Sequence, residues 1–218
     1  MYKILFGKMS INKKSIEVNI WSDIACPWCY VGEKAFKKAI IEFNKKFPEF
    51  KVIIIYHAYI IDPGTKTEGE EYLSYNKRRW GSDNWTHQLR IIGKKYGANF
   101  SDWKIWPNTL LSHKLMAEAN KKGKGNEVLE ELFKYCYEMG KNVSMENILD
   151  EIGNKFGIKN WNNDENLKLV LKDEKIGKKQ YGIEGVPFFI FPNDEVIEGA
   201  ADINKFLNAL IQAKENLE

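Results

Sequence analysis

Cys26 and Cys29 flank Pro27 and Trp28 in the stretch SDIACPWCYVGEKAF, where an alternating apolar run gives way to helical spacing. Two thiols one helical turn apart can close a small disulfide, and their positions are not equivalent. Cys26, just ahead of an exposed helix start, faces the positive end of the helix dipole and unsatisfied backbone N–H groups, which stabilise a thiolate. Cys26 is therefore the expected nucleophile. Cys29, one turn inside, is the shielded thiol expected to attack a mixed disulfide on Cys26 and release the partner. Trp28 is expected near the surface, on the rim that meets substrate. The competing chemistry is metal, since the pair could supply two of four tetrahedral ligands. The other candidate ligands are Cys136, His57, His87 and His113, none in a paired ligand spacing, so no metal site is expected.

A second stretch, GIEGVPFFIF, bears on the same chemistry. Proline is tolerated at a strand entry. Alongside a Cys-x-x-Cys pair that follows a strand, Val186-Pro187 reads instead as a cis-proline step whose preceding backbone pairs with an extended substrate. His113 either faces the thiols and tunes them or packs as a buried, satisfied histidine between modules. Cys136, four residues from Leu132 on an apolar helix face, belongs to a core. Trp80, Trp85, Trp103, Trp106 and Trp161 have no clustered cations around them and read as core and groove wall rather than base-stacking platforms. YNKRRWG, ending at Gly81, could edge a groove and meet glutathione or an acidic peptide, whereas KKGKG, ending at Gly125, reads as a solvated loop.

The elements that must position these residues follow from periodicity. SIEVNIW alternates Ile16, Val18 and Ile20 with polar partners, the pattern of a strand. From Pro27, Val31, Ala35, Ala39, Phe43 and Phe47 fall at helical spacing, with proline tolerated in the first turn and Pro48 closing the helix. KVIIIYHAY is a β-branched and aromatic run that predicts a strand buried on both faces, parallel to the first through a right-handed crossover. From Asp62 to about Gln180 the pattern turns helical. Trp85, Leu89, Ile92 and Tyr96 mark one face, ended by Gly97; Val128, Leu129, Leu132 and Phe133 mark another. Ile148, Leu149, Ile152 and Phe156 mark a third, with Ser144 as its N-cap and Val143 and Ile148 as a staple. VPFFIF, a turn at Pro192-Asn193-Asp194, and EVIEG predict a hairpin, and Ile203, Phe206, Leu207, Leu210 and Ile211 a closing helix.

Composition removes other classes. With 33 Lys+Arg against 30 Asp+Glu, the net charge of +3 does not call for a polyanion, and three arginines leave little for bidentate phosphate binding. No nucleic-acid partner and no membrane association are expected. The start carries only Ile4, Leu5 and Phe6 as an apolar run, too short for a secretory core, so a cytoplasmic protein is expected. Three cysteines do not make a disulfide scaffold. The oligomeric state is left open.

With these residues in place, the chain resembles the thioredoxin superfamily, and within it the DsbA-like proteins of the FrnE type, which are related to kappa-class glutathione transferases and 2-hydroxychromene-2-carboxylate isomerases. WSDIACPWCYVG resembles the active-site segment, WPNTLLSHKLMAEA a helical-domain motif, GIEGVPFFIF the cis-proline loop, and IEGAADINKFLNAL the closing hairpin and helix. The resemblance implies an α/β chain: a thioredoxin fold with a large all-helical insertion between the second strand and the C-terminal β-hairpin. Its implied boundaries are an N-terminal extension at 1–14, the first half of the thioredoxin domain at 15–62, the insertion at 63–180 and the second half at 181–218.

The resemblance also implies thiol–disulfide exchange at Cys26 and Cys29, with Val186 and Pro187 aligning a thiol- or disulfide-containing client and Pro27, Trp28, Asp23 and His113 as neighbours. No cofactor is implied beyond a redox-active Cys26–Cys29 disulfide, with glutathione as a candidate co-substrate. The transferases and isomerases typically carry serine at the first cysteine position, so the pair here favours redox chemistry. Two positions depart from the superfamily. Ile20 stands where thioredoxins place a buried carboxylate that takes the resolving thiol's proton, leaving Asp23 or water as stand-ins. His57-Ala58-Tyr59 replaces an arginine-proline segment.

Overall fold

Strand β1 (Lys14–Ser22) and strand β2 (Phe50–Ala58) run parallel in register from Lys14 opposite Phe50 to Ser22 opposite Ala58. The computed structural model describes residues 14–217. The expected extension at 1–14 lies outside them except for Lys14, which already pairs in β1. Ile16, Val18 and Ile20 are buried, as alternation on one face requires. The expectation that β2 is buried on both faces is corrected: β2 is an edge strand whose Lys51 and Ile53 are exposed, and only Phe50, Tyr56 and Ala58 are buried.

Helix α1 (Pro27–Lys46) joins the two strands. Pro27 sits where no internal N–H bond is lost, and Lys45 and Lys46 meet the negative end of the dipole. Phe36 on its inner face meets the rings of Phe189, Phe191 and Phe206. Truncating so buried a ring to alanine costs about 3–5 kcal/mol.

The chain then leaves the sheet through α2 (Tyr72–Trp80), α3 (Trp85–Tyr96), α4 (Leu110–Lys121), α5 (Gly125–Phe133), α6 (Glu146–Lys155) and α7 (Asp164–Lys175). Helices α5 and α7 each run on into a π turn, over Lys134–Glu138 and Ile176–Gln180. Gly97, at φ +87°, ends α3 in the left-handed conformation. Two expectations change here. The insertion is not wholly helical: β3 (Glu70–Glu71) and β4 (Ile105–Trp106) pair antiparallel, too short a ribbon to register as periodicity. Ser144 does not cap α6; Met145 holds that position, and the Ser144 hydroxyl instead accepts the Asn108 N–H at 2.8 Å, tying α6 to the segment before α4.

The chain returns through β5 (Phe188–Ile190), β6 (Val196–Glu198) and α8 (Ile203–Glu215), whose N-cap Asp202 accepts the Lys205 N–H. The sheet order is β2-β1-β5-β6, with β5 antiparallel to both β1 and β6. This arrangement brings the cis-proline loop before β5 against the N-terminus of α1. Among the described residues, no helix is long and apolar enough to cross a membrane, and no group of three or more His, Cys, Asp or Glu side chains is placed to hold a metal.

Candidate active site

The site forms where β1 ends. A turn closed by Cys26 N–H on Asp23 C=O (3.1 Å) leads into α1, with Cys26 as N-cap residue and its carbonyl accepting the N–H of Cys29 and Tyr30. Among the described residues no side chain caps this helix start, so its positive potential is left to the Cys26 sulfur. Cys26 is 6% exposed, less open than a helix start suggests. Its Sγ lies 3.4 Å from the Val186 carbonyl, and the Val186–Pro187 peptide is cis. Pro187 C=O in turn accepts the Gly199 N–H at 2.7 Å, fixing the loop to the hairpin.

Cys29 is buried one turn inside and is a free thiol, as is Cys26. Burial raises its pKa well above the ordinary thiol value, helped by a hydrogen bond to Cys26 and the charge there. The Asp23 N–H, 3.5 Å from the sulfur, and the Ser22 side chain oppose that rise. Asp23 therefore approaches Cys29 with its backbone. Its buried carboxylate accepts the N–H of Ala25 (3.2 Å) and Ile61 (2.8 Å) and faces His113 Nε2 at 3.3 Å. His113 is thus both buried and partnered to the active-site loop. Ile20 is buried in the apolar core.

Trp28 is half-buried and, with Cys26, Pro27, Ile61, Trp80, Trp85 and Trp106, lines an apolar groove of ≈ 460 Å³. The tryptophans are fixed from behind: Trp106 stacks on Tyr75 at 4.0 Å, and the Trp85 indole N–H donates to Asn76 Oδ1 at 2.9 Å. Trp80 carries the Arg79 guanidinium over its ring at 4.8 Å, which puts the basic segment on the groove rim, while Arg78 is held by Glu70. Trp103 and Trp161 are core. On the other side of the cis-proline step, Gly182, Glu184, Val186 and Glu198 line a second cleft of ≈ 400 Å³.

Sequence reasoning passed over three residues. Ser22 reads as the polar end of a strand. Tyr137, in the π turn after α5, donates its hydroxyl to Ile24 C=O at 2.9 Å and braces the loop from below. Gly32, one turn beyond Cys29, leaves room for the Pro187 ring: a Cβ there would stand 3.0 Å from Pro187 Cγ. A glycine at helical spacing from the cysteines was the one available signal, and it reads equally well as a tolerated flaw.

Residues 17–211 match the model of the DSBA-like thioredoxin domain. The chain belongs to this family. Among relatives of the DSBA-like chain is YwbO of Bacillus subtilis, an uncharacterised protein 22% identical over 204 residues that span 90% of this chain and 96% of that one. Among solved structures, a probable DsbA oxidoreductase of Streptomyces coelicolor is 25% identical with a TM-score of 0.77, covering 92% of this chain and 90% of its own. A 2-hydroxychromene-2-carboxylate isomerase shares the fold at 14% identity and a TM-score of 0.63, over 92% of this chain and 95% of that one. In this DSBA-like chain the His57 ring stacks on Trp21 at 4.2 Å, and its Nδ1 lies 3.2 Å from Asp173 Oδ1.

Proposed function

We propose that the protein is a thiol–disulfide oxidoreductase in which Cys26 is the nucleophile and Cys29 resolves. The observation that carries this reading is the placement of Cys26 Sγ at an uncapped helix start, 3.4 Å from the carbonyl of the residue before a cis-proline. The Cys26 thiolate attacks a client disulfide; the bond between the client sulfurs breaks, a Cys26–client disulfide forms and one client thiolate leaves. The Cys29 thiolate then attacks Cys26 Sγ, the Cys26–Cys29 disulfide closes and the second client thiolate leaves. The client gains two electrons and the protein loses them. Run backwards, the same steps oxidise a client dithiol.

Val186 offers its backbone to an extended client segment, and the tryptophan-walled groove beside Cys26 suits an apolar or aromatic side chain flanking the client cysteine. Direction depends on the reduction potential. A value near about −270 mV, as in thioredoxin, makes a reductase; one near about −120 mV, as in DsbA, makes an oxidant. Equilibration in glutathione buffers, with thiols counted by mass, measures it.

The deciding test is Cys29→Ser, which should accumulate a mixed disulfide between Cys26 and a disulfide-bonded peptide. Failure to trap any would overturn the assignment of roles. The apolar volume of the same groove also fits a small aromatic electrophile, the substrate a glutathione-dependent transferase or isomerase would need. Conjugation or isomerisation that requires glutathione and survives Cys29→Ser would favour that second reading.

A further inference from the structure

Resting on the exchange reading above, the structure also bears on how Cys29 becomes a nucleophile. To resolve the mixed disulfide Cys29 must shed its proton, and burial works against this. Cys26 cannot accept the proton at that stage, because its sulfur is bonded to the client. Asp23 presents only an N–H to the Cys29 sulfur, its carboxylate being engaged by two other N–H groups and by His113. The Ser22 side chain, one residue before that N–H, also acts on the sulfur to favour its ionised form, and a hydroxyl can accept a proton on one side while donating one on the other.

Ser22 opens on a cavity of ≈ 20 Å³ between the ends of β1 and β2 and helices α4, α5 and α7, lined also by His57, His113, Asn120 and Asp173. That is room for one water with several polar partners. The two histidines on its wall differ. His57 is engaged at both ring nitrogens, Nδ1 with Asp173 and Nε2 with Asn19 Oδ1 at 2.9 Å. His113 is engaged only through Nε2, on the Asp23 carboxylate; among the described residues its Nδ1 has no hydrogen-bond partner. A carboxylate facing Nε2 fixes the ring proton there and leaves the Nδ1 lone pair as the basic position.

We propose that His113 is the proton acceptor for Cys29, reached through the Ser22 hydroxyl and a water held in this cavity. The Cys29 proton passes to Ser22 Oγ, the hydroxyl's own proton to the water, and a water proton to His113 Nδ1, while Asp23 holds the resulting imidazolium. Ser22 and the water end unchanged. The Cys29 thiolate attacks Cys26 Sγ, and the departing client thiolate takes its proton from solvent. The other ionisable groups around the acceptor are Asp23 from the active-site turn, Tyr56 and His57 from β2 and Asp173 from α7; Cys136 and Tyr137 of the π turn feel the charge of Asp23, and α5 presents only Leu129 to the cavity.

Single-turnover reaction of the reduced protein with a disulfide-bonded peptide, acid-quenched and weighed by mass spectrometry, separates mixed-disulfide formation from resolution. In His113→Gln, resolution should slow on the order of 10²-fold, the scale of a lost general base, with mixed disulfide accumulating. One inflection of the wild-type pH profile for resolution should be lost. The first step, compared in a Cys29→Ser background with and without His113→Gln, should change far less. An unchanged resolution rate and profile, or equal slowing of both steps, would overturn the assignment and leave His113 a packing residue. Should His113→Gln fail to fold, Ser22→Ala carries the test: it should show the same accumulation and the same lost inflection, and unimpaired resolution would remove the route. If Cys29→Ser traps nothing at all, the exchange reading itself fails, an outcome distinct from a trap that forms and resolves normally in the His113 and Ser22 variants.

Discussion

The cysteine pair and Cys136 are equally hidden, at 6%, 1% and 1% exposure, yet they are set up for opposite fates. Cys26 sits at a helix start that no side chain among the described residues caps, faces the Val186 carbonyl and opens on the tryptophan groove. Cys136 lies in the π turn after α5, packed in the apolar core, and burial pushes its thiol far above the ordinary range, with a smaller push from the charge of Asp23. The difference teaches that exposure is a poor guide to thiol chemistry. What separates the two regions is an uncapped helix start and a groove by which a partner sulfur can arrive.

The largest effect expected from this contrast is on turnover. Cys26→Ser should abolish dithiol-dependent reduction of a disulfide-bonded protein, a loss of several orders of magnitude, because among the described residues no other cysteine lines the groove. Cys136→Ala should leave the rate within about twofold, since surface or core sites away from the chemistry act only through stability. Comparable losses in both would break the contrast. Access is tested next by Trp85→Ala, which removes one wall of the groove while leaving both thiols in place. KM for a peptide with an aromatic residue beside its disulfide should rise about tenfold, roughly 1.4 kcal/mol, and far less for a glycine-flanked peptide. An equal change for both peptides would mean that the groove does not read the flanking side chain.

Stability against pH separates the regions in another way. The folded pKa values of Cys29 and Cys136 are raised, so the folded chain holds these protons more tightly than the unfolded chain does. Below the ordinary thiol value of about 8.5 the contribution is constant; above it the unfolded chain ionises first and stability falls by about 1.4 kcal/mol per pH unit for each such thiol. Buried Tyr56 and Tyr137, also raised, add to the slope only above about pH 10. Denaturant unfolding of the reduced protein between these limits should therefore show a shallower slope in Cys136→Ala by about 1.4 kcal/mol per unit. An unaltered slope would mean that Cys136 is solvated in the folded state.

How much of this was readable in the residues depends on the length scale of each signal. The elements of the β1–α1–β2 unit carry their own periodicity over nine to twenty residues, and Val186-Pro187 announces itself beside an aromatic strand. The β3–β4 ribbon, two residues a side, carries none. Ser144 looked like a cap because local sequence cannot show that Asn108, thirty-six positions away, competes for its hydroxyl. The pairing of His113 with Asp23 spans ninety positions and depends on where α4 lands, which no local pattern encodes. Cys26 and Cys29 were legible because their chemistry depends on spacing along one helix turn; Ser22, Tyr137 and Gly32, which brace them and their loop, were not, because their part depends on packing.

Gly32 is the finest test of that last point. Replacing glycine by alanine inside a helix is worth about 1 kcal/mol in propensity. Here the new methyl would stand 3.0 Å from Pro187 Cγ and 3.5 Å from Ala200 Cα, so the proline ring must give by a few tenths of an ångström. The two effects oppose each other, and net stability should move by less than about 1 kcal/mol. The displacement, however, falls on the peptide that places the Val186 carbonyl 3.4 Å from the Cys26 sulfur. Mixed-disulfide formation should therefore slow severalfold in Gly32→Ala while its unfolding midpoint barely shifts. An unchanged rate would show that the cis-proline loop holds its station through Gly199 and the hairpin alone, and that the face of α1 does not set the distance at which a client strand meets Cys26.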